Sequence, residues 1–208
     1  MPVYPEHPIL RQSFAVIDQE IGEHRFSPAE YAVVRRLIHS TADFQLASQL
    51  TFSATAIAAA AAALRQGTPI ITDVSMVAQG IRGVVSRTWK NPIVVAIDRA
   101  EPLRPGQTRT ASGLLNCWQA YPDGIFVIAN APTALLALCE ALCNQITHGK
   151  RPAFVLGAPV GFINVVESKQ ALAAIPVPQI RIDGRRGGSG AAAAIVNALL
   201  IWSWEQLP

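Results

Sequence analysis

The chain has 208 residues and a mass of 22.2 kDa; half of its residues are hydrophobic and only 15% are charged, which excludes a disordered protein and fits one folded, Ala-rich unit over residues 1–208. Seventeen Lys and Arg face fourteen Asp and Glu, for a net charge of +3 and a pI near 9.0, with many Arg and few Lys. No dense basic run occurs and aromatic residues are not interleaved with basic ones, so the charge argues against a nucleic-acid or membrane-surface binder and for an acidic small molecule, whose carboxylates Arg recognises well.

Met1 to Leu10 contains three prolines and no apolar stretch, which argues against a signal peptide and for a cytoplasmic protein. Two helices come first. The start of the second is unusually legible in Ser27-Pro28-Ala29-Glu30, which joins an N-cap Ser, a Pro at the first helical position and a capping-box Glu. Val34, Leu37 and Ile38 then form a buried stripe, so Arg36 and His39, three apart, share another face and can point at one ligand. A titratable imidazole one turn after an Arg, at a helix end, is a place for proton chemistry on an acidic ligand. The ordinary alternative is a His that caps the helix or complements its dipole. His7 lies in a Pro-bracketed segment, His24 between the two helices, and His148 at an expected helix end; none has a neighbour that suggests chemistry.

Beyond these helices, short apolar runs alternate with longer helical segments, the pattern of an α/β fold with a mostly parallel sheet of five or six strands covered by helices on both faces. The expected strands are 69–72, 93–97, 125–128, 153–156 and 179–182, with an edge strand near 49–53. Helices are expected around 54–66, 74–82, 109–120, 132–147, 164–174 and 190–203. The apolar runs in the first and last of these are too short and interrupted to span a bilayer and read as buried helices.

In such a sheet ligands bind beyond the carboxyl ends of the strands, and the loops there are distinctive: Thr72-Asp73, Asn130-Ala-Pro132-Thr133, Gly157-Ala-Pro159-Val-Gly161-Phe162 and Gly184-Arg-Arg-Gly-Gly188-Ser189-Gly190. The last loop could gather an anion on backbone N–H groups, but it lacks a GK[ST] ending and follows the final strand, so close helix packing or a carboxylate ligand is the better reading than a nucleotide. Asp73 and Glu167 sit where a helix N-terminus welcomes a carboxylate for structural reasons. Cys117, Cys139 and Cys143 form no CxxC pair and are expected to be buried, reduced thiols, and no protein-bound metal is expected.

Taken in order, His7-Pro-Ile followed by Ser13, Leu37-Ile-His39-Ser-Thr-Ala-Asp43-Phe, Thr72-Asp73-Val-Ser-Met76-Val, Thr108-Arg109-Thr, Asn130-Ala-Pro-Thr-Ala-Leu, Pro159-Val-Gly-Phe, Glu167-Ser-Lys169 and Gly187-Gly-Ser189 resemble the precorrin-8X methylmutase family, also called cobalt-precorrin-8 methylmutase, of corrin biosynthesis. The resemblance covers nearly the whole chain; Ala129 stands where the family usually has Gly. It implies an isomerase that moves a methyl group from carbon eleven to carbon twelve of an acidic tetrapyrrole, precorrin-8X or cobalt-precorrin-8, without an added cofactor. It also implies a homodimer with the site near the subunit boundary. His39 occupies the motif of the active histidine, Ser13 and Arg36 match positions that contact substrate, and Arg109 is a weaker candidate for holding a substrate carboxylate. Two other readings compete: a corrinoid carrier that keeps the pocket without needing His39, and a nucleotide-binding α/β enzyme resting on the Gly187 loop.

Overall fold

The first two helices begin where their side chains can satisfy free backbone N–H groups. Helix α1 (Pro8–Ile21) is capped by His7, whose Nδ1 accepts from Ile9 N at 3.3 Å. Helix α2 (Pro28–Thr41) starts on the expected capping box: Ser27 Oγ accepts from Glu30 N at 3.3 Å and Glu30 Oε2 accepts from Ser27 N at 2.9 Å. The structure is a computed structural model that describes residues 4–5, 7–101, 106–144 and 149–206.

After α2 the chain runs through α3 (Gln45–Gln49), β1 (Leu50–Phe52), α4 (Ala56–Arg65), β2 (Ile70–Thr72), α5 (Ser75–Val85), β3 (Ile93–Val95) and a short 3₁₀ turn (Ala96–Arg99). It continues with α6 (Arg109–Ala120), β4 (Ile125–Ile128), α7 (Pro132–Cys143), β5 (Phe154–Gly157), α8 (Val165–Ala173), β6 (Gln179–Ile182) and α9 (Ser189–Glu205). The six strands form one sheet in the order β1-β6-β5-β4-β2-β3, parallel except for the antiparallel edge strand β1, which pairs Leu50 with Ile182 and Phe52 with Ile180.

Because successive strand residues point to opposite faces, the buried strands split their side chains between two cores. Ile70, Ile125, Val127, Phe154, Leu156, Ile180 and Ile182 pack with α1, α2, α4, α5 and α9. Ile71, Phe126, Ile128 and Val155 pack with α6, α7 and α8. The result is the expected three-layer α/β arrangement. Helix α9 is apolar on nearly every side and lies against α2, α4 and α5; its Ala191 to Ala194 run permits the close approach that the sequence suggested.

Three details differ from expectation. The third strand ends at Val95 instead of Ile97, and α6 packs directly on the 3₁₀ turn that follows: a Cβ on Gly113 would lie 1.8 Å from the carbonyl oxygen of Ala96. The five-residue α3 was not expected; it is too short to show a periodic apolar pattern. Finally, Cys117 and Cys139 are buried as expected, but Cys143 is exposed, because it is the last residue of α7. Burial pushes the Cys139 thiol up to about 12, with Cys143 adding to the shift, which keeps it protonated and inert. The expected continuation of α7 over residues 145–147, and His148 at its end, lie outside the described residues.

Candidate active site

Helices α2 and α9 run antiparallel. Asp43, just beyond the C-terminus of α2, meets Arg186, just before the N-terminus of α9, while Ala32, Arg35 and Arg36 lie beside Ala198, Ile201, Trp202 and Glu205. Since α9 follows β6, the C-terminal end of α2, and His39 with it, sits at the carboxyl end of the parallel strands. That is the end at which folds of this type bind ligands.

His39 is exposed, and its ring is held by α1: Ser13 Oγ lies 2.8 Å from Nδ1. The two helices are locked together nearby. Asp18 of α1 accepts from the Tyr31 hydroxyl at 2.5 Å and from Arg35 Nη1 at 3.1 Å. Burial, helped by Asp18, pushes the Tyr31 phenol up to about 12, so it remains a donor at any ordinary pH. Phe14, the neighbour of Ser13, is buried between the helices, with the guanidinium of Arg35 4.3 Å and that of Arg36 5.4 Å from its ring centre and the His39 ring edge-on at 5.6 Å. The negative face of the aromatic ring offsets the crowding of positive groups on this side of α2.

Arg36 and His39 therefore reach the same aromatic ring, as their spacing suggested, but their side chains then diverge. Arg36 lies half-buried in a cleft between α2 and α9, lined by Phe14, Ala198, Ile201, Trp202 and Glu205. Arg109 is the first residue of α6, exposed, in the helical layer on the opposite side of the sheet. Its helix start is fixed by Thr108, whose hydroxyl accepts from Ala111 N at 3.3 Å and shares a hydrogen bond of 2.9 Å with Thr133 at the start of α7. Ser13 and His39 are brought into direct contact, Arg36 is next to them, and Arg109 is set apart.

The loops at the strand ends do several separate jobs. Asp73 is fully buried, and its Oδ2 accepts from Asn130 N at 2.6 Å and Ala131 N at 3.0 Å, which stitches the end of β2 to the turn before α7. It thus serves a helix start as expected, but that of α7 and not of the α5 helix that follows it. Burial pushes its carboxyl pKa up, against the pull of those N–H groups. The gap between the ends of β2 and β4, where the order of the strands reverses, is closed by this carboxylate. The Gly187 turn is a packing device: its φ is +151°, and a Cβ there would lie 2.2 Å from the carbonyl oxygen of Ala158.

Sequence reasoning missed the Asp18, Tyr31 and Arg35 lock, although Tyr31 and Arg35 are four apart on one helix face. It also missed the partner that Asp43 finds. In the structure the Asp43 carboxylate pairs with Arg186 at 2.7 Å and accepts from Gln45 N at 3.0 Å, so its charge is spent away from the ring. Among the described residues no group of three or more His, Cys, Asp or Glu could hold a metal ion. No helix there is long and apolar enough to cross a membrane.

The model of the precorrin-8X methylmutase family matches residues 8–202, which include the α1 and α2 pair, the sheet and most of α9. The chain belongs to that family. It is 50% identical to the cobalt-precorrin-8 methylmutase of a Synechocystis species, over 97% of this chain and 98% of that one. It is 39% identical to the precorrin-8X methylmutase of Pseudomonas aeruginosa, over 92% of this chain and 93% of that one. A crystal structure of precorrin-8X methylmutase from Thermus thermophilus has the same fold, with a TM-score of 0.85 at 40% identity, covering 95% of this chain and 96% of the other. The three-layer fold of this precorrin-8X methylmutase family member thus extends over almost its whole length.

Proposed function

We propose that this protein is the corrin-pathway isomerase that moves a methyl group from carbon eleven to carbon twelve of precorrin-8X or cobalt-precorrin-8, with His39 as its acid and base. The observation that carries the reading is the pairing of Ser13 with His39 at the ligand-binding end of a methylmutase-family fold. The reaction breaks one carbon–methyl bond and makes another within the same molecule, so the protein needs to bind, orient and polarise the ring without supplying a nucleophile. A hydrogen bond or proton from His39 drains electron density from the rearranging ring, and the proton is returned as conjugation re-forms, so the isomerisation leaves the imidazole unchanged. Because Nδ1 is engaged by Ser13, Nε2 is the nitrogen that faces the substrate.

The substrate carries many acetate and propionate groups, which suits an Arg-rich protein of net charge +3. Arg36 holds one carboxylate close to the His39 ring, and Arg109, exposed at the start of α6, holds another. This reading treats residues 1–208 as one functional unit acting in the cytoplasm as a homodimer. Support for a second copy comes from large apolar side chains left exposed near the strand carboxyl ends, Met76 at 71% in the first turn of α5 and Phe162 at 82% and Ile163 at 76% in the loop between β5 and α8. Anaerobic incubation with precorrin-8, followed by the visible spectrum, tests the reaction: conversion to the corrin chromophore is expected. Tight binding without conversion would replace the mutase with a carrier. Sedimentation at micromolar concentration tests the dimer, and a monomer there would remove it.

A further inference from the structure

Lys169 of α8 is only 1% exposed, and among the described residues no carboxylate pairs with its Nζ. It donates instead to two main-chain carbonyls, Gly184 O at 2.8 Å and Arg186 O at 2.6 Å. Burying an ammonium is costly unless its donors are satisfied, so a lysine placed here for packing alone would be a poor choice. What it holds is the turn between β6 and α9. The same turn is fastened from a second side by Gly188 N to Ala158 O at 2.8 Å and Gly161 N to Arg185 O at 3.2 Å.

From this fixed turn the Arg186 side chain reaches out to the end of α2, with Nη1 2.7 Å from Asp43 Oδ2 and Nη2 2.8 Å from Gln45 Oε1. Asp43 lies four residues beyond His39. Between them Ala42 adopts the left-handed conformation, with φ at 52°, and its N–H closes the helix on Ile38 O at 2.7 Å. A non-glycine residue keeps such a conformation only where its surroundings over-determine it, and the Arg186 fork with the Asp43 to Gln45 N contact supplies that constraint. The last turn of α2 is thus held from below by a chain of direct contacts that begins at a buried lysine in a different helical layer.

We infer that Lys169 and Arg186 are positioning residues that form a strut from α8 through the Gly184–Gly188 turn to Asp43, setting the last turn of α2 so that His39 meets both Ser13 and the substrate. Neither residue touches the reacting atoms in this scheme. The catalytic part of the inference rests on the mutase reading above, whereas its structural part does not. Even a small displacement of a proton donor costs a large factor in rate, which is why such a strut matters.

The test uses Arg186→Gln and Asp43→Asn, singly and together, at positions exposed enough to tolerate substitution, with Lys169→Gln as the buried variant. Two readouts are taken: the ring resonances of His39 in isotopically labelled protein without substrate, and single-turnover rates with precorrin-8. Each surface variant is expected to shift the His39 ring resonances and to slow the bound reaction about tenfold, with substrate affinity changed less than about twofold. The double variant is expected to be no worse than either single one, because both break the same link. Lys169→Gln should shift the same resonances.

Unchanged His39 resonances in all three variants would overturn the strut, and unchanged resonances in Lys169→Gln alone would remove Lys169 from it. Additive rate effects, or loss of affinity from Arg186→Gln without Asp43→Asn sharing it, would overturn positioning and make Arg186 a direct substrate ligand. If the wild type converts no substrate, the mutase reading falls while the resonances still decide the strut.

Discussion

Ser13 Oγ and His39 Nδ1, carried by different helices 26 residues apart in sequence, stand 2.8 Å from one another at the exposed end of α2. Whichever of the two donates, the contact occupies one ring nitrogen, fixes the plane of the imidazole and commits the other nitrogen to the ligand. Replacing Ser13 with Ala frees the ring to rotate. The variant is expected to fold normally, since Ser13 is half-exposed, and to turn over about tenfold more slowly, the loss of roughly one hydrogen bond of orientation. Turnover measured beside substrate affinity checks this; a pure loss of affinity would make Ser13 a substrate contact only.

For His39→Ala the expected result is retained folding and binding with turnover reduced by about 10² to 10⁴, the usual contribution of a positioned acid or base. Single-turnover spectroscopy and a binding titration separate the two quantities. Full activity in this variant would move the acid elsewhere in the molecule.

Arg36→Ala and Arg109→Ala should both act on binding. A charge-assisted hydrogen bond to a carboxylate contributes about 1.5–3 kcal/mol, so loss of Arg36 should weaken substrate binding roughly tenfold to a hundredfold while changing the bound reaction much less. Arg36 also packs near Phe14, so a small drop in thermal stability should accompany that variant. Arg109 is exposed and should show the binding effect without one. Unaltered affinity in either variant would release that residue from the substrate site.

The buried ammonium of Lys169 makes stability depend on pH in a defined window. Burial lowers its pKa from 10.5 to about 8, with nearby Asp183 opposing the shift. Between about pH 8 and 10.5 the unfolded chain holds a proton at this residue that the folded chain has released. Its contribution to stability is therefore fully present above that window and is lost as the pH falls through it. Denaturant unfolding of the wild type, compared with Lys169→Gln, should show the wild type gaining relative stability as the pH rises from 8 to 10.5. A difference that stays flat across that range would contradict the shift. The neutral amine still has N–H groups for both carbonyls, so the turn keeps its contacts throughout.

Gly187→Ala tests the packing reading of the glycine-rich turn. A Cβ at this position would lie 2.2 Å from Ala158 O in a conformation that side chains rarely adopt, so the backbone must move. A loss of about 3 kcal/mol is expected, seen as a melting temperature lower by roughly 6 to 12 °C. An unchanged melting temperature would show that the turn tolerates a side chain and would reopen a ligand role for its glycines.

Much of this architecture is written locally. The caps at Ser27 and Glu30, the fully apolar strands such as 125–128 and the long apolar α9 each depend on neighbours within one or two turns, so they can be read from spacing and residue type alone. The same holds for the family motif around His39, and for the way Arg36 and His39 share one face of α2. What only the tertiary structure decided is how residues distant in the chain meet. Ser13 meets His39 because Phe14 and the Asp18, Tyr31 and Arg35 lock hold α1 against α2, and Asp43 meets Arg186 because the α9 turn arrives beside it. In sequence Asp73 reads as a carboxylate at a helix start and Lys169 only as part of the family motif; the fold buries both and gives them backbone partners, and through those partners they hold the loops around the site. Hydrogen bonds act only within about 3 Å, and no sequence pattern encodes which distant groups folding will bring to that distance.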